Sequence, residues 1–239
     1  SQVGCPVACP FCATGLMGLR RSLSPVEILG QVLLARHGLN EPLTHVVLMG
    51  MGEPLMNWPS VRTALGAIRS SGDLALSGRR ITVSTSGYLP GLEQLLQDDP
   101  PVVLALSLHA PDDKLRDRLV PLNRKYPIAA LLDWCRRYVE GKKRRKLTFE
   151  YVLLAGVNDS PAQARALAGI LHGLPAKVNL IPFNPIPGMP YARSAPEAAA
   201  AFQTTLLKSG IRTMLRDTLG SDIAAACGQL LAKNTLKPR

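Results

Sequence analysis

Val46-Val47-Leu48-Met49 is a short apolar run, and Gly50-Met51-Gly52-Glu53-Pro54 breaks it at once. Apolar residues in succession suit a strand covered on both faces, and glycine and proline then end it. Residues 59–70 follow with helical periodicity, and the next apolar run begins at Ile81. The same order recurs along the chain. Apolar runs at 46–49, 81–85, 102–106, 148–153, 178–181 and 211–215 read as strands. Helical patterns read at 25–37, 59–70, 91–96, 128–139, 161–172 and 196–209. Such alternation predicts parallel βαβ units, in an open sheet or a (β/α) barrel. Residues 50–54, 84–87 and 107–109, with Asn184, directly follow apolar runs, which places them at the carboxyl-end face where parallel barrels bind ligands.

Composition narrows the class. The chain has 239 residues, 46% hydrophobic and 19% charged, enough apolar material for a buried core and too much for a disordered chain. No run approaches the ~18 apolar residues of a membrane span. No basic stretch followed by an apolar segment opens the sequence, so no secretory signal is read. Five cysteines are too few for a disulfide framework, and a reducing cytoplasmic location is expected. The net charge of +11 is uneven: residues 1–120 hold ten basic and ten acidic side chains, residues 121–239 eighteen and seven. That asymmetry points to a polyanion, with RNA or DNA as the expected partner. Ser1-Gln2-Val3-Gly4 reads as the end of a strand lacking its start, so the chain is expected to be a fragment of a longer protein.

Cys5, Cys9 and Cys12 form C-x3-C-x2-C, and Pro6 and Pro10 favour a loop that curls the thiols toward one point. A structural zinc needs a fourth ligand, yet the next His is His37 and the next Cys is Cys135. Three thiolates suit a [4Fe–4S] cluster with one iron left open, the mark of a reactive site; zinc and unliganded thiols are the alternatives. Gly50 and Gly52 would let a ligand approach the backbone, and Glu53 could pair with an ammonium, or be a solvated turn residue. His109 by itself reads equally as a satisfied strand-end histidine, Cys227 as a small buried hydrophobe, and Cys135 as helix packing.

The cysteine pattern, with Phe11 before its third member, resembles the radical S-adenosylmethionine (SAM) superfamily. Residues 47–54, Ser84-Thr85-Ser86-Gly87, Ser107-Leu108-His109-Ala110-Pro111, residues 179–185 and residues 222–230 narrow the resemblance to the RlmN/Cfr adenosine methyltransferases, on the RlmN side. The motifs span the whole chain in family order. The resemblance implies one partial parallel (β/α)6-type, TIM-like barrel over residues 1–239, with a small RNA-binding domain upstream. It implies cluster ligation by Cys5, Cys9 and Cys12, and SAM binding by Gly52, Glu53, Ser84, Ser107, Leu108, His109 and Asn184. It makes Cys227 the methyl-carrying cysteine. Carbon-2 of adenine is electron-poor and resists polar methylation, so a radical generated from a second SAM would activate the methyl group on Cys227. The family's second catalytic cysteine and its general-base glutamate would lie upstream of Ser1, so the chain is expected not to complete turnover.

The implied substrates are 23S rRNA and, in some members, tRNA, with a one-electron reductant such as flavodoxin and a monomeric, membrane-free enzyme. A Cfr-like enzyme acting at carbon-8 and a retired RNA-binding remnant with a structural cluster are the alternatives. The run Lys142-Lys143-Arg144-Arg145-Lys146 reads as a phosphate-holding loop or as a solvated one.

Overall fold

Two helices open with a signature legible in the chain: Ser24 and Ser160 each cap the turn that follows, with proline at the first helical position and Glu27 or Gln163 reaching back. The computed structural model describes residues 1–70, 72, 74–142, 146–216 and 228–230. In chain order it comprises β1 (Gln2–Gly4), α1 (Ala13–Leu16), β2 (Leu19–Ser22), α2 (Pro25–Gly38), β3 (Val46–Leu48), α3 (Trp58–Ser70), β4 (Ile81–Thr85) and α4 (Leu89–Asp98). Then come β5 (Val103–Ser107), α5 (Asp113–Leu119), α6 (Ile128–Val139), β6 (Leu147–Leu153), α7 (Pro161–Leu171), β7 (Ala176–Pro182), α8 (Pro196–Lys208) and β8 (Arg212–Leu215).

β3 to β8 form one six-stranded sheet in sequential order, and every neighbouring pair is parallel. Successive βαβ crossovers of one hand produce that order, which is the order expected of a partial (β/α)6 barrel. β1 and β2 make a separate antiparallel pair.

Side chains alternate across the sheet. Leu147, Phe149, Tyr151 and Leu153 of β6 join Trp134, Leu167 and Phe202 of the helices in the main core. Each large apolar side chain buried there contributes about 1.5–3 kcal/mol. Thr148, Glu150 and Val152 therefore point to the opposite face. There Val152 meets a second cluster formed with Val7, Phe11, Leu115, Leu119 and Phe183.

All six expected strands and all six expected helices are present, with ends moved by one or two residues. α4 begins at Leu89 because Pro90 fits a first helical turn. Three elements had no periodic signal. α1 has four residues, β2 is exposed throughout, and α5 interrupts its apolar face with the buried Arg116.

Candidate active site

Cys5 follows β1, Cys9 lies in the loop beyond it, and Cys12 caps α1. The Cys5 amide donates to the Gly18 carbonyl at 3.1 Å, and the Cys12 amide to the Cys9 carbonyl at 3.1 Å. α1 lies so close beneath the loop that a Cβ on Gly15 would stand 2.7 Å from the Cys9 carbonyl oxygen. Burial pushes the Cys5 thiol up to about 11, with charges on Glu53 and Cys12 adding, while amides of Val7 and Gly52 counteract. Burial and then the charges of Cys12 and Cys5 push Cys9 well above its ordinary value.

Among the described residues no three or more His, Cys, Asp or Glu side chains converge on a single metal ion. A mononuclear zinc site needs such convergence, whereas a cubane spreads its thiolates over separate irons. Three thiols within electrostatic reach of one another, on a loop braced by glycine, fit the cluster.

The strand ends bring most of the expected cofactor residues to this loop. Gly52 adopts φ +101°, and a Cβ there would stand 2.6 Å from Cβ of Gln2, so only glycine fits. Glu53 is buried and not a solvated turn residue. Its amide donates to Oε1 of Gln2 at 2.9 Å, its Oε1 accepts from the Leu55 amide at 3.1 Å, and its Oε2 accepts from the Ser86 amide at 2.7 Å. Burial raises its pKa, opposed by those amides and by the hydroxyls of Thr85 and Ser86. Glu53 thus ties β1, β3 and β4 together within reach of the Cys5 and Cys9 charges. Ser84 and Ser107 lie half-buried at the ends of β4 and β5, Leu108 is buried, and Asn184 is buried just beyond β7.

His109 combines both of its sequence readings. It takes φ +62°, and its Nδ1 accepts from the Val152 amide at 3.0 Å. Its ring meets Phe11 of the cysteine loop edge-on, centroids 5.1 Å apart. The residue is a satisfied strand-end histidine that also abuts the cysteine loop. Burial, aided by the Arg116 charge, lowers its pKa to about 3. The unfolded chain therefore binds this proton first, and stability falls as pH drops from 6.5 toward 3. Between pH 7 and pH 4.5 the wild type should lose about 3 kcal/mol more than His109→Asn, whose amide oxygen can replace Nδ1. Urea unfolding at the two pH values measures the difference; equal losses would refute it.

Arg116 escaped the sequence reading. It is 1% exposed, on α5. Nε donates to the Leu108 carbonyl at 3.0 Å, Nη1 to Oδ1 of Asn123 at 2.7 Å, and Nη2 to the carbonyls of Ser86 and Ser107 at 2.8 and 3.0 Å. One guanidinium therefore joins the ends of β4 and β5, and its charge reaches Cys9. A lone arginine in a charged seven-residue helix carries no signal for this. The hint lay in Asn123, buried seven residues on.

Cys227 and Lys143, Arg144 and Arg145 lie outside the described residues. Lys142 pairs with Asp99 at 2.7 Å, and Lys146 is exposed where the chain enters β6, at the opposite end of the sheet from the cysteines. Connections from helix to following strand always occupy that end of a parallel sheet. Cys135 sits in the main core, its thiol pushed up to about 12 by burial, as expected of a packing residue. Of the residues after Cys227, Gly228 accepts from the Ala13 amide at 2.8 Å and Leu230 from Oγ1 of Thr14 at 2.7 Å.

The comparisons agree with this arrangement. The chain is 47% identical, over its whole length, to the dual-specificity RNA methyltransferase RlmN of Granulibacter bethesdensis. Over 98% of its length it is 48% identical to the protein of that name in Marinobacter nauticus. It spans 62% and 65% of those relatives. A crystal structure of a radical SAM methyltransferase from Sphaerobacter thermophilus superposes with a TM-score of 0.90 at 48% identity, covering 95% of this chain and 67% of that one. The Radical SAM superfamily, whose cofactors are a [4Fe–4S] cluster and SAM, matches residues 1–167. A three-cysteine loop set over the carboxyl ends of a sequential parallel sheet, together with that match, shows that the chain belongs to the Radical SAM superfamily.

Proposed function

We propose that this chain is the catalytic region of an RNA adenosine methyltransferase that places a methyl group on carbon-2 of an adenosine in 23S rRNA and in tRNA. The observation that carries the reading is the 47–48% identity, end to end, with RNA methyltransferases named RlmN. Bound together, the cluster and SAM supply a one-electron cleavage that yields a hydrogen-abstracting radical.

The chain's own residues have separable duties. Cys5, Cys9 and Cys12 hold three irons and leave the fourth for SAM. Gly52 and Glu53 receive the methionyl ammonium, and Ser84, Ser107, Leu108, His109 and Asn184 line the nucleoside's place. The Cys227 thiol carries the methyl group to adenine. Contacts of Gly228 and Leu230 with α1 support that role, because they hold the segment following Cys227 against the cysteine loop. The cytoplasm, a monomeric state and a flavodoxin-like electron donor complete the reading. No helix among the described residues is long and apolar enough to cross a membrane.

Product analysis tests the reading. The protein carrying this chain, reconstituted anaerobically with iron and sulfide, is given reductant, SAM and either a 23S rRNA fragment or tRNA. Nucleoside digestion should release 2-methyladenosine from both RNAs. Recovery of 8-methyladenosine would move the enzyme to the Cfr-like chemistry. Stable iron with no SAM cleavage would leave a structural cluster in an RNA-binding remnant.

A further inference from the structure

Glu150 lies in the middle of β6, on the sheet face turned away from the helical core, and is 3% exposed. Its Oε1 accepts from Nδ2 of Asn179 on β7 at 2.8 Å. Its Oε2 is buried and has no hydrogen-bond partner. The nearest cation there, Nη1 of the half-exposed Arg216, stands 3.9 Å away, beyond hydrogen-bond reach. Lys177, two residues before Asn179 on β7, adds only a weaker attraction. Burial therefore dominates and raises this carboxyl's pKa. An acceptor left in this state costs stability, and a protein retains one where something else supplies the donor.

The register identifies what lies alongside. Ser107 of β5 pairs with Glu150, and Glu150 pairs with Asn179. Paired residues of a parallel sheet share a face, so these three form a polar row across the inner wall. The Leu108 amide donates to the Glu150 carbonyl at 3.0 Å, which locks the row to the segment holding His109. One step further along β6, Val152 packs in the cluster that contains Val7 and Phe11 of the cysteine loop. A nucleoside anchored at the cysteines and lying across these strand ends would bring its sugar to the row.

We propose that Glu150, oriented by Asn179, accepts a hydrogen bond from a ribose hydroxyl of the S-adenosyl group and so makes this wall selective for a ribonucleoside. Carboxylates recognise ribose hydroxyls in this way in unrelated folds. The proposal rests on SAM occupying this site.

Equilibrium binding to the anaerobically reconstituted chain tests it, with SAM and its 2′-deoxy and 3′-deoxy analogues as probes. The wild type should bind at least one deoxy analogue about 10- to 100-fold more weakly than SAM. Glu150→Met should bind SAM as weakly as the wild type binds that analogue, and should no longer discriminate. Glu150→Gln, which keeps its shape and its bond from Asn179, should fold normally and retain only a few-fold preference. A wild type that binds SAM and both analogues equally would overturn the proposal alone. So would discrimination that persists undiminished in Glu150→Gln. A wild type that binds no SAM would remove the cofactor reading and the proposal together.

Discussion

Anaerobically reconstituted Cys9→Ser should hold no stable cluster and should fail to cleave SAM, while Cys135→Ser keeps its full complement of iron. Cys9 shares the electrostatic neighbourhood of Cys5, Cys12, Glu53 and Arg116. Its thiol is costly to ionise when the site holds only protein, so bound iron is what stabilises the thiolate. A serine alkoxide is a poorer, harder ligand for iron. The loss should exceed the about 100-fold weakening typical of disturbing a residue that merely orients a ligand. Cys135 is fully buried in the main core, and its replacement buries a hydroxyl instead, costing about 1–3 kcal/mol of stability. Iron and sulfide analysis, visible absorption and 5′-deoxyadenosine release read the two variants side by side. Full iron in Cys9→Ser would remove this residue from the ligand set.

The Arg116→Met variant should be destabilised by about 3–5 kcal/mol, among the largest effects of any single change outside the apolar core. The guanidinium satisfies three backbone carbonyls and one side-chain amide oxygen, none of them with ready access to water. Asn123 passes the arrangement on, its amide donating to Oδ1 of Asp113 at 2.9 Å and of Asp117 at 2.6 Å. Asp113 in turn accepts from the first amide of α6 at 2.8 Å. Burial lowers the Arg116 pKa only to about 10, so the group stays charged at neutral pH. Arg116→Lys should recover part of the loss, since an ammonium offers three donors without the planar fork. Urea midpoints compare the three proteins. Equal midpoints for wild type and Arg116→Met would show that the strand ends do not depend on this group. SAM affinity should fall in parallel, because the carbonyls it holds belong to Ser86, Ser107 and Leu108.

The barrel-like order and the cluster ligands were legible for separate reasons. Apolar runs that alternate with amphipathic helices have few folded solutions, and the six strands and six helices appear where their periodicity placed them. The cysteine spacing carries ligand geometry within eight residues, so no distant contact is needed to recognise it. Elements lacking periodicity, such as the exposed β2 and the charged α5, could not be recognised this way.

Local order thus determined the alternating architecture, the cysteine loop and the set of strand ends that face it. The tertiary structure alone decided which polar groups at those ends lose their water. It turned Glu53 from a turn residue into a three-strand clasp, buried Arg116 beneath the cofactor loops, and left one oxygen of Glu150 without a donor on the inner wall. The cost of burying charge depends on neighbours from distant parts of the chain, and no stretch of sequence contains them all.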